Sequence, residues 1–234
     1  MWEWLLSAVD PSRAHDVGWA ASWHARAMVL GWGIMAPSVV LIARFFKVMP
    51  GQNWPVQLDN KVWWRSHWMG QSVVFALTLI GLALVWPPSW AGLSLHMIMG
   101  YCVLIGLLVQ TVFGIARGSK GGPSEAAADG SLRGDHYDMT SRRLIFELVH
   151  KTVGYCLLTL AVATIVVGMW DANAPRWMWL VLVIWWMFYV CTFAMLQRAG
   201  MAVDTYQAIW GTDIVHPGNQ QPMSNWWQRT TRRR

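Results

Sequence analysis

Residues Ser66 to Ala116 read SHWMGQSVVFALTLIGLALVWPPSWAGLSLHMIMGYCVLIGLLVQTVFGIA and contain no Asp, Glu, Lys or Arg. A helix needs about 20 apolar residues to cross the hydrocarbon core of a bilayer, so this stretch is too long for one crossing. Pro87 and Pro88 divide it, because proline lacks an N–H and disfavours helix in the preceding residue. We therefore predict two membrane spans joined by a tight extramembrane hairpin at Trp86 to Ser89.

The rest of the 234-residue chain has the same apolar character. Hydrophobic residues make up 55% of it and charged residues 13%, against about a quarter charged in ordinary soluble domains. This composition argues against a disordered chain, a disulfide scaffold, collagen and a nucleic-acid module. The nucleic-acid module is disfavoured because membrane topology explains the net charge of +6 better. The N-terminus lacks the features of a cleaved signal peptide. Three cysteines stand inside apolar runs, where we expect buried thiols: Cys102, Cys156 and Cys191.

Five segments are long and apolar enough to span a membrane, which predicts an all-α membrane protein with five transmembrane helices. They cover about 20–46, the two halves of 66–116, 144–170 and 177–197. The predicted organisation is an extramembrane segment 1–19, a five-span domain 20–199 with a solvated loop 118–143, and a basic tail 200–234.

Basic residues crowd alternate loops and so predict the orientation. The loop after span one, the loop after span three and the C-terminal tail are basic, whereas the opposite side is nearly bare. The positive-inside rule then places loop 118–143 and the C-terminus in the cytoplasm and the N-terminus outside. The basic residues are Lys47, Lys61, Arg65, Arg117, Lys120, Arg133, Arg142, Arg143 and Arg232 to Arg234.

Four histidines lie inside the predicted spans, each near the start of one: His24, His67, His96 and His150. Ionisable groups are costly inside a membrane, so each is a candidate functional residue. Since successive spans run in opposite directions, His24 and His96 share the outer leaflet and His67 and His150 the inner one. Two facing imidazoles can fill both axial positions of a haem iron, which predicts two haems stacked across the membrane. The four spans that carry these histidines are then expected to form a di-haem bundle, with the histidine-free fifth span packed outside it. A single such histidine could instead hydrogen-bond a neighbouring helix.

Spans three and four share the pattern His-x-x-x-Gly-Tyr-Cys. Gly100 follows His96 by four residues and Gly154 follows His150 by four, with Gly114 and Gly168 further along at matching offsets. Positions four apart lie above one another on a helix, so these glycines would remove side chains that strike a flat ring bound by the histidine. Close helix packing is an alternative explanation of the glycines. Zinc is an alternative metal for the histidines to bind.

Two arginines are candidates for binding a haem propionate. Arg143 lies two turns before His150 on nearly the same stripe, and Arg44 ends span one together with Lys47. Both are equally explained as positive-inside anchors. The amides of Gln71 and Gln110 are expected to hydrogen-bond other helices. Three histidines outside the spans are expected at the surface: His15, His136 and His216.

These residues resemble the cytochrome b561 family, most closely its bacterial forms without a fused extracellular domain. The similarity lies in Trp23 to Met28, His67-x-x-x-Gln71, His96-x-x-x-Gly100, Arg133 to Thr140 and Phe146 to Lys151, and it extends over about 20–218. The resemblance implies bis-histidine, non-covalent b-type haems and electron movement in a bacterial inner membrane. The segment associated with ascorbate in animal and plant members has no clear match.

We therefore expect single-electron transfer between a quinol or small reductant and a partner redox protein, in contact with membrane lipid and with no nucleic acid. Such a chain could be a transmembrane oxidoreductase of b561 type. A non-catalytic haem-carrying subunit or anchor of a larger complex is the alternative. A haem-free, histidine-lined transporter or scaffold is a third interpretation, which visible absorption would separate from the others.

Overall fold

The structure of the chain is a computed structural model that describes residues 1–86 and 92–221. The predicted hairpin around Pro87 and Pro88, and the arginines at 232–234, lie outside the described residues. Within the described residues the regular secondary structure is entirely helical, apart from one isolated bridge between Ala8 and Pro175.

Five helices are long and apolar enough to cross a membrane, so the prediction of an all-α membrane protein is confirmed. We number them in chain order as spans one to five. Three short helices complete the described fold: Trp2–Leu6, Thr205–Trp210 and the 3-10 turn Pro217–Gln220. The spans are Trp19–Phe45, Val62–Leu84, Leu95–Ile115, Ser141–Asp171 and Arg176–Arg198.

The chain divides into two compact units. The first unit comprises residues 1–40, 68–107 and 156–194 and has a core to which all five spans contribute. Span four supplies its buried residues at four-residue spacing, which places them on one helix face. The core residues are Trp32, Ala36, Val74, Val103, Leu107, Leu157, Ala161, Ile165 and Leu182.

The N-terminal segment of the first unit is tied to the turn between spans four and five. The buried side chain of Asn173 accepts the Asp10 N–H at 2.9 Å and donates to the carbonyls of Asp10 and Arg13 at 2.9 and 2.7 Å. The Arg176 guanidinium donates to the Val9 carbonyl at 3.1 Å. These bonds order residues that follow the short helix Trp2–Leu6, which exposes most of its apolar side chains.

The second unit comprises 41–67, 108–155 and the residues from 195 onward. A small aromatic core packs loop residue Tyr137 against Tyr206, Ile209 and Trp210 of the short helix Thr205–Trp210. The Asp204 carboxylate caps that helix by accepting the N–H groups of Tyr206 and Gln207. Residues 202–211 are therefore buried, although they follow the last span as the beginning of the predicted tail.

Two predictions about burial are wrong. His136 is buried, with 4% of its surface exposed, because the rings of Tyr206 and Trp210 pack against it at 5.7 and 6.2 Å. Cys102, Cys156 and Cys191 are exposed rather than buried. Apolar sequence does not distinguish a helix face that packs on protein from one that faces lipid, so a cysteine in an apolar run can lie on either.

Candidate functional site

The structure brings His24 and His96 together in the first unit; we call them the first pair. Their ring centroids are 6.1 Å apart and the rings are inclined by 83°. A metal bound between two imidazoles at about 2 Å from each nitrogen would set ring centroids roughly 6 Å apart. The spacing therefore fits two axial ligands of one iron, and ligation itself stays a prediction.

Both histidines of the first pair are held by backbone carbonyls of the next span. His24 Nδ1 donates to the Gly81 carbonyl at 2.8 Å, and His96 Nδ1 donates to the Thr164 carbonyl at 3.1 Å. A carbonyl only accepts, so each Nδ1 carries the proton and each Nε2 keeps a lone pair for a metal. The Gly81 carbonyl is free for this bond because it is one of the last four in Val62–Leu84.

Gly168 leaves the space that the His96 ring occupies. A Cβ on Gly168 would lie 2.7 Å from His96 Cε1 and 2.9 Å from its Nδ1, closer than packed atoms approach. The sequence predicts that this glycine clears a ring bound by His150 on its own helix. The structure instead shows it admitting a histidine from span three, a contact between helices that spacing along one helix does not reveal.

Gly100 lies four residues beyond His96 and is not needed for helix packing. A Cβ at Gly100 or at Gly114 would meet no atom of the described residues within 4 Å. Close packing within the described chain therefore explains neither glycine. Their predicted place beside a macrocycle stays a prediction.

His67 and His150 form the second pair, in the second unit. Their ring centroids are 6.2 Å apart with an inclination of 82°, almost the geometry of the first pair. Phe146 stacks on the His150 ring at 5.3 Å and 14°. The structure thus joins each histidine to the partner that the alternating span directions predict, and it does so within one unit each time.

Gln110 supports the second pair through the main chain. Its Nε2 donates to the His150 carbonyl at 2.9 Å, and a Cβ on Gly154 would make only an ordinary van der Waals contact with that amide, at 3.5 Å. The predicted hydrogen bond of Gln110 to another helix is present, and its acceptor is the backbone of a predicted ligand. The His150 Nδ1 has no hydrogen-bond partner among the described residues.

The predicted propionate partner Arg143 has a protein carboxylate beside it. Its guanidinium pairs with Glu147 at 3.0 Å and lies over the Phe146 ring at 5.0 Å. Glu147 also pairs with Lys151 at 2.8 Å, and its side chain is only 5% exposed. The spacing of four residues on each side of Glu147 is the signal for these ion pairs. The sequence-based predictions include the cation Arg143 but not Glu147, the carboxylate between the two cations.

Arg44 and Lys47 also have protein partners. Arg44 donates to Gln197 Oε1 at 2.9 Å and to the Tyr155 hydroxyl at 3.3 Å, and Lys47 donates to the Val203 carbonyl at 3.0 Å. Burial, and next the positive charge of Lys151, lower the pKa of Lys47 to about 8. Both cations therefore form hydrogen bonds that link segments of the second unit.

The donor set of each pair suits an iron macrocycle. Among residues 1–86 and 92–221, no three His, Cys, Asp or Glu side chains are grouped to hold a metal ion. Zinc prefers four protein N, S or O ligands, or three with a water, and two imidazoles alone do not complete such a site. A haem supplies four ring nitrogens itself, so two histidines complete the coordination of its iron.

Comparison with known proteins gives one distant similarity. The chain is 28% identical over 146 residues to a cytochrome b561, DM13 and DOMON domain-containing protein of Arabidopsis thaliana. The match covers 62% of this chain, which spans about 14% of the length of that relative. No family model and no solved structure matches. The match suggests a b561-like family, in agreement with the resemblance found in the sequence.

Proposed function

We propose that this chain is a b561-like di-haem cytochrome that transfers single electrons across a membrane. His24 and His96 would hold one non-covalent b-type haem, and His67 and His150 the other. The observation that carries the proposal is the duplication of one geometry: two histidine pairs with centroid distances of 6.1 and 6.2 Å, each inside its own unit. The five apolar helices and the distant b561 relative support it.

The proposed chemistry is electron transfer without bond making. A bis-histidine haem supplies reversible one-electron oxidation and reduction with both axial positions filled by protein. The residues of this chain orient the ligands: the Gly81 and Thr164 carbonyls fix the proton of each first-pair imidazole on Nδ1. In the second pair, Phe146 and Gln110 support His150 by stacking and through its carbonyl.

We further propose a bacterial inner membrane, an outer N-terminus and a cytoplasmic C-terminus, from the basic residues in alternate loops. Single cysteines at Ser12 and Ser124, in a chain lacking the native cysteines, test this orientation. A membrane-impermeant thiol reagent should label the Ser12 position from outside and the Ser124 position only after the inner face is opened. Labelling of both from outside contradicts it.

A quinol or small reductant is the proposed donor and a redox protein the proposed acceptor. The test is a reduced-minus-oxidised visible spectrum of the purified chain, followed by mixing the oxidised protein with a quinol or with ascorbate. Rapid reduction of b-type bands supports electron transfer by the chain itself. Reduction only in the presence of a larger complex favours the haem-carrying subunit, and a colourless protein rules out both in favour of a scaffold or transporter.

A further inference from the structure

Span one is not α-helical throughout. Its middle, Val29–Met35, is a π-helix between the α-helical segments Trp19–Met28 and Ala36–Phe45. The Ala36 N–H bonds the Gly31 carbonyl, five residues back. Such wide turns are rare, and those that do occur are often found at functional sites. They change which residues of the helix face a neighbouring helix.

Pro37, just after the π segment, leaves one carbonyl of that segment without its usual partner. In an α-helix the Gly33 carbonyl would accept the N–H of residue 37, but Pro37 has none. An unpaired carbonyl is costly inside a membrane, where no water is present to satisfy it. Neighbouring helices commonly supply the missing partner in such cases.

Here the missing partners come from span five. Trp185 Nε1 donates to the Gly33 carbonyl at 3.0 Å, and Trp186 Nε1 donates to the same oxygen at 3.2 Å. A carbonyl oxygen has two lone pairs, so it can accept both indoles. Each indole N–H needs an acceptor when it is buried. Two consecutive tryptophans of the span that has no histidine thus replace the donor that Pro37 removes.

The π segment is also fixed to span two, next to the acceptor of His24. Trp32, inside the π segment, donates from Nε1 to Thr78 Oγ1 at 3.0 Å. Three residues after Thr78 stands Gly81, whose carbonyl accepts His24 Nδ1. An extra residue in a turn rotates the N-terminal part of a helix by about 100° relative to its C-terminal part. The π segment therefore sets the direction in which His24 leaves the helix.

We propose that Trp185 and Trp186 are positioning residues for His24, which act by holding the Gly33 carbonyl and with it the π segment. The inference rests on the proposed function, in which His24 is an axial ligand. It gives span five a specific role in the site: its indoles set the orientation of a ligand carried by span one.

The test replaces the indole N–H and keeps an aromatic ring. Trp185→Phe, Trp186→Phe and the double variant are compared with Trp179→Phe, a control on the same helix whose indole donates to Ala174. The readouts are the largest g-value in low-temperature electron paramagnetic resonance and the midpoint potential of each haem. His96→Ala identifies the first-pair component. We expect the double variant to shift only that component, the single variants to shift it less, and the control to leave it unchanged.

Pro37→Ala supplies a rescue. This variant restores an N–H four residues after Gly33, beyond the last π hydrogen bond. Added to the double variant, it should return the g-value and midpoint potential of the first-pair haem toward those of Pro37→Ala alone. If the double variant fails to fold, Trp186→Phe with and without Pro37→Ala gives the same comparison. An unchanged first-pair component, equal shifts of both components, or failure of the rescue overturns the inference. Wild-type protein without two haems would instead refute the proposed function.

Discussion

The two histidine pairs have nearly the same spacing and very different surroundings. The first pair is held by two backbone carbonyls, and Gly168 admits the His96 ring. The second pair has an aromatic ring stacked on His150, a side-chain amide on its carbonyl and a buried ion-pair network one turn away. A repeat can therefore duplicate a ligand geometry while the residues around each copy diverge, and these residues are where the two proposed haems should differ.

The largest expected effect is loss of a whole haem. His24→Ala or His96→Ala should each remove the same redox component, whereas His67→Ala or His150→Ala should each remove the other, because both axial ligands are needed for low-spin iron. Potentiometric titration of the four variants measures this. If His24 and His67 variants lose one component and His96 and His150 variants the other, the pairing is wrong.

A second variant tests the close approach in the first pair. Gly168→Ala puts a Cβ where the His96 ring lies, so we expect about 10- to 100-fold weaker haem binding at the first pair only, as for other losses of ligand support. Haem retention during dialysis against apomyoglobin measures it. Thr164→Ala is the matched control, since it keeps the backbone carbonyl that His96 uses. Equal loss of haem in both variants would show that the absence of a side chain at Gly168 is not what lets haem bind at the first pair.

The third prediction concerns the ion pairs of the second unit. Glu147→Gln leaves Arg143 and Lys151 without their buried carboxylate, which should cost about 3 kcal/mol of stability and raise the midpoint potential of the second-pair haem alone. Asp135→Asn breaks a pair with the exposed Arg142 and should cost under about 1 kcal/mol. Thermal unfolding in detergent compares them, and similar losses would refute the distinction.

Part of the site could be predicted from the sequence, and the contacts around each pair could not. The four histidines and their pairing could be predicted, because ionisable residues in apolar spans are few and span direction alternates along the chain. The acceptors Gly81 and Thr164 could not, because any backbone carbonyl looks the same in a sequence. The burial of His136 depends on Trp210, which is distant in the chain and reaches it only after folding. Arg143 and Arg44 could be identified from the sequence because they are cations at the ends of spans. Their hydrogen-bond and ion-pair partners were not identified, because these lie on other helices or one helical turn away.

The last expected effect appears only on acidification, as an acid sensitivity of the second unit. Burial, and next the positive charge of Arg143, lower the pKa of His136 to about 3. The unfolded chain then binds a proton below about pH 6.5 that the folded chain does not, so stability falls as pH falls from there toward 3, by about 2 kcal/mol at pH 5. His136→Gln should lose less stability than wild type between pH 7 and pH 5 in thermal unfolding. An equal loss would show that His136 is not held neutral.

The most direct test of the central claim is the haem content of the wild-type chain. A pyridine haemochrome assay against protein concentration, with electron paramagnetic resonance of the oxidised sample, counts the haems and reports their ligands. Two histidine pairs predict about two non-covalent b-type haems per chain, both low-spin because both axial positions are filled. One haem per chain, or high-spin iron at either site, would contradict the assignment of two bis-histidine haems.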